Sequence, residues 1–230
     1  MQFKPPLKQG ILIKRHKRFL ADIKLHTNKI LTIYCPNTGA MLSCSTSGAM
    51  VWYSCSLNTQ RKYFATWELY HDKYFVVVNT HRANDLISEA ITLQKISALE
   101  GLVKIDREVK LNQQSRIDFM LTTGNKKIYI EVKSVTYCSD TVGYFPDAIS
   151  KRGQKHLNEL ITLKKAGHRA ILLFCVMHEA IECVKPAKHI DLEYSQLCYT
   201  AYQAGVEFLA YKASINQYEV VINNQVPVYF

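Results

Sequence analysis

The chain has 230 residues, 48% of them hydrophobic, and a formal net charge of +10. That apolar content excludes a largely disordered chain, and no apolar run approaches the ~20 residues that span a bilayer, so no membrane partner is expected. The opening Met1-Gln2-Phe3-Lys4-Pro5-Pro6 has no apolar stretch of a signal peptide, and the seven cysteines, odd in number and without C-x-x-C spacing, argue against a disulfide framework or a structural zinc site and for a reducing cytoplasm.

The length allows one large domain or two small ones, and the charge divides it. Residues 1–83 hold 12 Lys/Arg against Asp22, Glu68 and Asp72, or +9; residues 84–230 hold 17 Lys/Arg against 16 acids, or +1. The first part also carries 11 of the 25 aromatic residues, including Trp52 and Trp67. A basic, aromatic-rich third of a chain points to a polyanion partner.

From the N-terminus, strands are expected at Ile11–Arg15, Phe19–Leu25, Ile30–Tyr34, Val51–Ser54, Tyr63–Leu69 and Tyr74–Val78, with polar loop at 36–41 and 43–48. Such short strands in so little chain fit a small closed barrel of the OB type. The character changes near Asn79-Thr80, which gives two domains, 1–83 and 84–230. A helix follows from about Leu86 to Leu99, capped by Asn84 or Asp85, then a strand over 103–111. Gly124-Asn125 suits a two-residue hairpin turn between strands 115–123 and 126–133. A helix over 148–166 closes at Gly167, and the unbroken apolar run 170–176 reads as a strand buried on both faces. Asp191 opens a third helix ending at Gly205, before strands at 207–212 and 219–222. The fold class is therefore mixed α+β: an OB-like barrel, then one mixed sheet with helices on its faces.

In the Gly124 hairpin Asp118 falls opposite Glu131. Ile117, Phe119 and Leu121 face Val132, Ile130 and Ile128 on an apolar side, and Lys133 shares the side of Glu131. Two carboxylates directly across a ladder repel; a divalent cation removes that objection, since Mg²⁺ is taken by carboxylates together with phosphate oxygens. The pattern Asp118…Glu131-x-Lys133 is that of the PD-(D/E)xK nuclease superfamily. It predicts phosphodiester hydrolysis of DNA or RNA, with Asp118 and Glu131 holding Mg²⁺ (or Mn²⁺) and Lys133 near the attacking water. Glu89 and Glu108 are candidates for a further metal-binding carboxylate. The competing reading is a solvated hairpin face, which accounts for the lysine and leaves the facing carboxylates unexplained.

Two basic stretches complete the candidate surface. Lys14, Arg15, Lys17 and Arg18, with Arg61, Lys62 and Trp67, pair charge with aromatic rings as in sequence-tolerant nucleic-acid binders. Arg152, Gln154 and Lys155 lie on the second helix and could contact phosphates. Gly153 between them costs about 1 kcal/mol relative to Ala in a helix, and a close approach to a backbone or phosphate would be a reason to keep it. The plain alternatives are a solvated basic loop and a polar helix face. Histidines 26, 71, 81, 168, 178 and 189 show no ligand spacing and read as ordinary, and nothing resembles a helix-turn-helix. A homo-oligomer is compatible with all of this.

The stretches Pro36-Asn37-Thr38-Gly39-Ala40-Met41, Ser115–Leu121, Tyr129–Thr136, Gly143–Ala148 and Arg152–Leu157 closely resemble the sugar fermentation stimulation protein A (SfsA) family, as does the opening Pro5-Pro6-Leu7 to Gly10 followed by Leu12-Ile13-Lys14-Arg15. The resemblance implies an OB-like domain followed by a nuclease-like domain in a cytoplasmic prokaryotic protein. It implies DNA binding without sequence preference and regulation of sugar, notably maltose, metabolism. The nuclease triad then falls on Asp118, Glu131 and Lys133.

Overall fold

A computed structural model describes residues 1–58, 60–99, 101, 104–113, 115–124 and 126–230. Its first unit is a barrel of β1 (Lys8–His16), β2 (Leu20–Lys24), β3 (Ile30–Tyr34), β4 (Met50–Cys55) and β5 (Ala65–His71). Antiparallel ladders join β3-β2-β1-β4-β5, and Tyr34 of β3 alongside Thr66 of β5 closes the ring. Closure turns alternate residues inward, so Leu12, Ala21, Ile23, Ile33, Val51 and Trp67 share one core. At the β1–β2 turn Lys17 and Arg18 both take left-handed φ, 49° and 63°. Side chains other than Gly and Asn adopt that conformation sparingly, and here it throws two charges to the tip.

β6 (Phe75–Val77) extends the barrel sheet beside β5 and ties it to the rest of the molecule. The Val77 amide donates to the Met177 carbonyl, and Glu179 donates back to Phe75. The extreme N-terminus also leaves the barrel: Gln2 bridges Glu219, and the Phe3 amide donates to Tyr218.

The second unit contains α1 (Arg82–Thr92), a 3₁₀ turn at Ser97–Leu99, β7 (Lys104–Asn112), β8 (Ser115–Thr123) and β9 (Lys126–Val135). Then come β10 (Tyr137–Ser139), β11 (Val142–Phe145), α2 (Lys151–Lys165), β12 (Arg169–Val176), β13 (Cys183–Pro186), α3 (Leu192–Gln203), β14 (Glu207–Ile215) and β15 (Val220–Gln225). One mixed sheet runs β15-β14-β12-β9-β8-β7, with β12 parallel to both β9 and β14. On one face α1 buries Leu86, Ile87 and Ala90 against Phe119, Ile130 and Leu173. On the other, α2 and α3 bury Leu157, Leu160, Tyr194 and Cys198 against Leu172 and Phe174. β12 is buried on both faces, as its apolar run predicts. No helix among the described residues is long and apolar enough to cross a membrane.

The first helix begins at Arg82, not Leu86, and ends at Thr92. Neither Asn84 nor Asp85 caps it; His81 stands at the N-cap without a side-chain hydrogen bond. The early start is held by Arg82, whose guanidinium makes two bonds of 2.9 and 2.8 Å to the buried Glu68 carboxylate. Ser150 caps α2 by accepting from Gly153, and Asp191 caps α3 by accepting from Tyr194. The small sheet β10-β11-β13 is an element that sequence periodicity missed. Residue 103, the expected start of β7, and Asn125 of the hairpin turn lie outside the described residues.

Candidate functional site

The β8–β9 hairpin has the expected register from Thr123–Lys126 back to Phe119–Ile130, turning at Gly124 with φ 56°. There the ladder ends. Asp118 Oδ2 instead accepts from the Val132 amide at 2.7 Å, and its Oδ1 accepts from Asn84 Nδ2 at 2.8 Å. On the opposite edge the β7–β8 pairing steps from Arg107–Phe119 to Val109–Ile117 over Glu108, whose φ is 51°. The face expected to be wholly apolar divides here. Phe119, Leu121, Ile128, Ile130 and Val132 pack toward α1, while Ile117 joins the core under α2. The other face is not solvated either, because α2 lies across it and leaves Glu131 only 2% exposed.

Glu131 Oε1 receives two donors: Lys133 Nζ at 2.5 Å and His156 Nδ1. Lys133 Nζ also lies 3.0 Å from His156 Nδ1. Arg152 Nε stands 3.4 Å from His156 Nε2, an arrangement that favours the proton on Nδ1, facing Glu131. Burial works against the Glu131 charge, yet the His156 hydrogen bond and the Lys133 charge outweigh it and hold its carboxyl below the ordinary value. For Asp118 the balance reverses. Burial first, then the Glu131 charge, push its carboxyl up against the pull of Val132, Lys133 and Asn84. Two neighbouring carboxyls with opposite shifts are what a shared charge site produces.

Glu131 Oε2 is buried and has no hydrogen-bond partner among the described residues. Such an acceptor costs about 1–3 kcal/mol when left bare, and a cation beside Asp118 would satisfy it. Among the described residues no group of three or more His, Cys, Asp or Glu side chains converges as metal ligands. A metal here would rest on two carboxylates plus oxygens from water or substrate, which is how Mg²⁺ is usually held.

These groups form the floor of an open cleft of about 720 Å³. Arg18, Thr38 and Gly39 of the barrel form one wall; His81, Asn84, Arg107 and Glu108 form another; Tyr137, Tyr144, Asp147 and Arg152 complete the rim. The barrel loop is fastened to it. Arg15 Nη2 donates to the carbonyls of Asn37 and Gly39 at 2.9 and 2.8 Å, and the Met41 amide donates to Asp147 Oδ2 at 3.0 Å. A Cβ on Gly39 would overlap both Asp147 carboxylate oxygens.

The expected residues therefore separate. Asp118, Glu131 and Lys133 come together, with Glu108, Arg18 and Arg152 around the same cleft. Lys14, Lys17 and Lys62 are exposed on the barrel; Arg61 lines a second cavity of about 590 Å³ that also touches His81. Glu89 is not a metal ligand: α1 turns it toward β15, where it pairs with the Met1 ammonium at 2.5 Å. Trp67 cannot stack on nucleic acid, because it fills the barrel core and its Nε1 donates to Leu69 at 2.9 Å. Arg15 is spent on the 36–41 loop. Gln154 is buried and donates to both Asp191 oxygens at 2.9 and 3.2 Å, so it staples α2 to α3 and reaches neither phosphate nor metal. Lys155 is exposed beside Glu159 and does not line the cleft. The close approach at Gly153 is first to the capping Ser150 hydroxyl, 2.8 Å from where a Cβ would stand, and then to the Tyr194 ring at 3.0 Å. His156, Asn84 and His81 are the residues that sequence reasoning missed. The i, i+4 spacing of Arg152 and His156 was the one available signal.

Residues 81–219 match the family described as Sugar fermentation stimulation protein RE domain, and residues 13–78 match the SfsA N-terminal OB domain. The structure of Pyrococcus furiosus SfsA in complex with Ca²⁺ superposes with a TM-score of 0.91 at 24% identity, over 100% of this chain and 98% of that one. A repair endonuclease from Pyrococcus abyssi aligns with a TM-score of 0.33 at 12% identity, over 87% of this chain and 86% of that one.

Proposed function

This chain belongs to the sugar fermentation stimulation protein family, and from that premise we propose that it binds DNA by its backbone, largely regardless of sequence, and hydrolyses phosphodiester bonds in the cleft. The observation that carries this reading is the bare, buried Glu131 Oε2 beside Asp118, at the floor of an open cleft rimmed by Arg18, Arg107 and Arg152. A divalent cation (Mg²⁺ or Mn²⁺) held by Asp118 and Glu131, with Glu108 near, would supply positive charge toward phosphate oxygens and a water of lowered pKa. That the Pyrococcus furiosus relative was solved with Ca²⁺ supports a divalent ion.

The chain's own groups have distinct tasks. Lys133 carries its ammonium beside the carboxylates, where it stabilises charge developing on the phosphoryl oxygens. His156 orients Glu131, and Arg152 orients His156 in turn. Arg18 and Arg107 take flanking phosphates, while Lys14, Lys17, Arg61 and Lys62 extend the positive field over the barrel. Affinity then falls steeply with salt. Seven free cysteines support a cytoplasmic setting. Action on sugar, notably maltose, metabolism would follow from where the protein engages DNA, and that link rests on the family.

A second reading, DNA binding without cleavage, is favoured by one observation. Lys133 and His156 both converge on Glu131 Oε1, so the lysine is engaged with a carboxylate rather than free toward a substrate. One experiment separates the two: wild type, Glu131→Gln and Lys133→Ala against single- and double-stranded DNA and RNA in Mg²⁺, Mn²⁺ or EDTA. Cleavage by wild type in either metal, lost in both variants while binding persists, supports the first reading. Salt-sensitive binding without cleavage of any substrate supports the second.

A further inference from the structure

Trp67 and Trp52 lie inside the molecule, so any ring offered to a substrate comes from elsewhere. Two do. Tyr137 and Tyr144 pair across the β10–β11 ladder, with centroids 5.6 Å apart and planes inclined at 38°. Both are half-buried, and both line the cleft that holds Asp118, Glu131 and Lys133. His189 packs edge-on against each, at 6.0 Å from Tyr137 and 5.1 Å from Tyr144, and braces the pair from outside the cleft lining. Neither tyrosine belongs to either main hydrophobic core of the second unit. The two rings therefore pack on each other and on His189 at the rim, apart from both cores.

Position adds the second part. Tyr137 follows Lys133 by four residues along nearly continuous extended chain, so their Cα atoms are at most ~14 Å apart. The open cleft, about 720 Å³, has the size of a small-ligand site. The Glu131 carboxylate at its floor is almost wholly buried. A phosphate that reaches it must come on a strand that can enter, and an unpaired base beside that phosphate meets the tyrosine pair.

We propose that Tyr137 and Tyr144 form a base-stacking platform, and that the cleft takes a single-stranded or locally unpaired segment of nucleic acid. This rests on the reading that the cleft grips a phosphodiester backbone. Stacking on aromatic side chains tolerates any base, so the platform confers strandedness preference without sequence preference.

The test measures anisotropy of three labelled probes in Ca²⁺: an oligodeoxythymidylate, an abasic strand of equal length and a blunt duplex. The proteins are wild type, Tyr137→Ala, Tyr144→Ala and the matching Phe variants. Wild type should favour the oligodeoxythymidylate over both other probes. Each Ala variant should lose roughly ten- to a hundredfold on that probe alone, and the Phe variants, which keep the ring, should bind like wild type. Equal wild-type affinity for the abasic and base-bearing strands overturns the proposal. So does equal loss of both in the Ala variants, or a preference for duplex. Absence of salt-sensitive binding to all three probes removes the backbone reading itself, an outcome distinct from loss of base dependence. Thermal melting of the Ala variants shows whether an equal loss reflects unfolding.

Discussion

Asp118 Oδ2 accepts a 2.7 Å hydrogen bond from the amide of Val132, the residue that follows Glu131. The strand that brings one carboxylate thus fixes the other, and the pair is held together before any cation arrives. Asp118→Asn keeps an acceptor for that amide, whereas Asp118→Ala strands both Val132 and Asn84. Both variants should lose cleavage by roughly 100- to 1,000-fold, and the Ala variant alone should lose about 1–3 kcal/mol in chemical denaturation. Because burial and Glu131 raise the folded Asp118 pKa, wild type loses stability as pH rises through that value. The Asn variant should therefore gain on wild type as pH rises in metal-free buffer.

Charge on the barrel should split by role. Replacing Lys14, Lys17 and Arg18 with Ala should weaken binding to every DNA sequence alike. It should also lower the slope of log affinity against log salt by about 0.7–0.9 for each phosphate that is no longer neutralised. Arg15→Ala should mainly lower thermal stability and reduce order in the 36–41 loop, since its guanidinium is committed to Asn37 and Gly39. Fluorescence titrations across a salt series distinguish the two behaviours.

Glu68 is 1% exposed and gathers Arg82, Asn79 and Ser54 around its carboxylate. Arg82→Ala leaves a buried charge without its cation and should cost about 3–5 kcal/mol by urea denaturation. Adding Glu68→Gln should recover part of that loss, because the uncompensated charge is gone.

The close approach of Gly39 to Asp147 offers a coupling test. Gly39→Ala should push the barrel loop off Asp147 and lower both stability and nucleic-acid affinity. Asp147→Ala should do so as well, because the Met41 amide then has no acceptor there. The double variant should fall short of additivity by at least ~0.5 kcal/mol in denaturation, as expected for residues that touch.

His178 supplies a pH dependence. Burial, then the charge of Lys212, push its imidazole down to about 4. A histidine depressed in the folded state contributes stability that is complete above its unfolded value and lost as pH falls toward the folded one. Melting temperature should therefore drop between about pH 6.5 and 4, with on the order of 3 kcal/mol at stake. His178→Gln should flatten that limb of the curve.

The carboxylate pair was legible because period-two alternation and a Gly124 turn set strand register, and register sets which side chains meet. The basic neighbours Arg61 and Lys62 mislead about Trp67. β5 is buried on both sides at Trp67, Glu68 and Leu69, because the barrel closes over one and the second unit covers the other. Periodicity marks two faces without saying that both will be covered. Gln154 went astray for a related reason: α2 is pressed between the sheet and α3, so its buried arc is wider than a one-sided helix would show. His156 was invisible as a partner of Glu131 until α2 crossed β9, a juxtaposition no local pattern encodes. The small sheet escaped notice because its strands of three or four residues are too short to establish a period.

The hydrogen bonds from Val77 to Met177 and from Glu179 to Phe75 make the seam between barrel and sheet a backbone joint. Such a joint resists hinge bending, so the cleft walls should keep their spacing whether or not a strand lies between them. An ion or phosphate entering between fixed walls meets a Glu131 carboxylate whose Oε1 is already held by Lys133 and His156 and whose Oε2 is left to receive it.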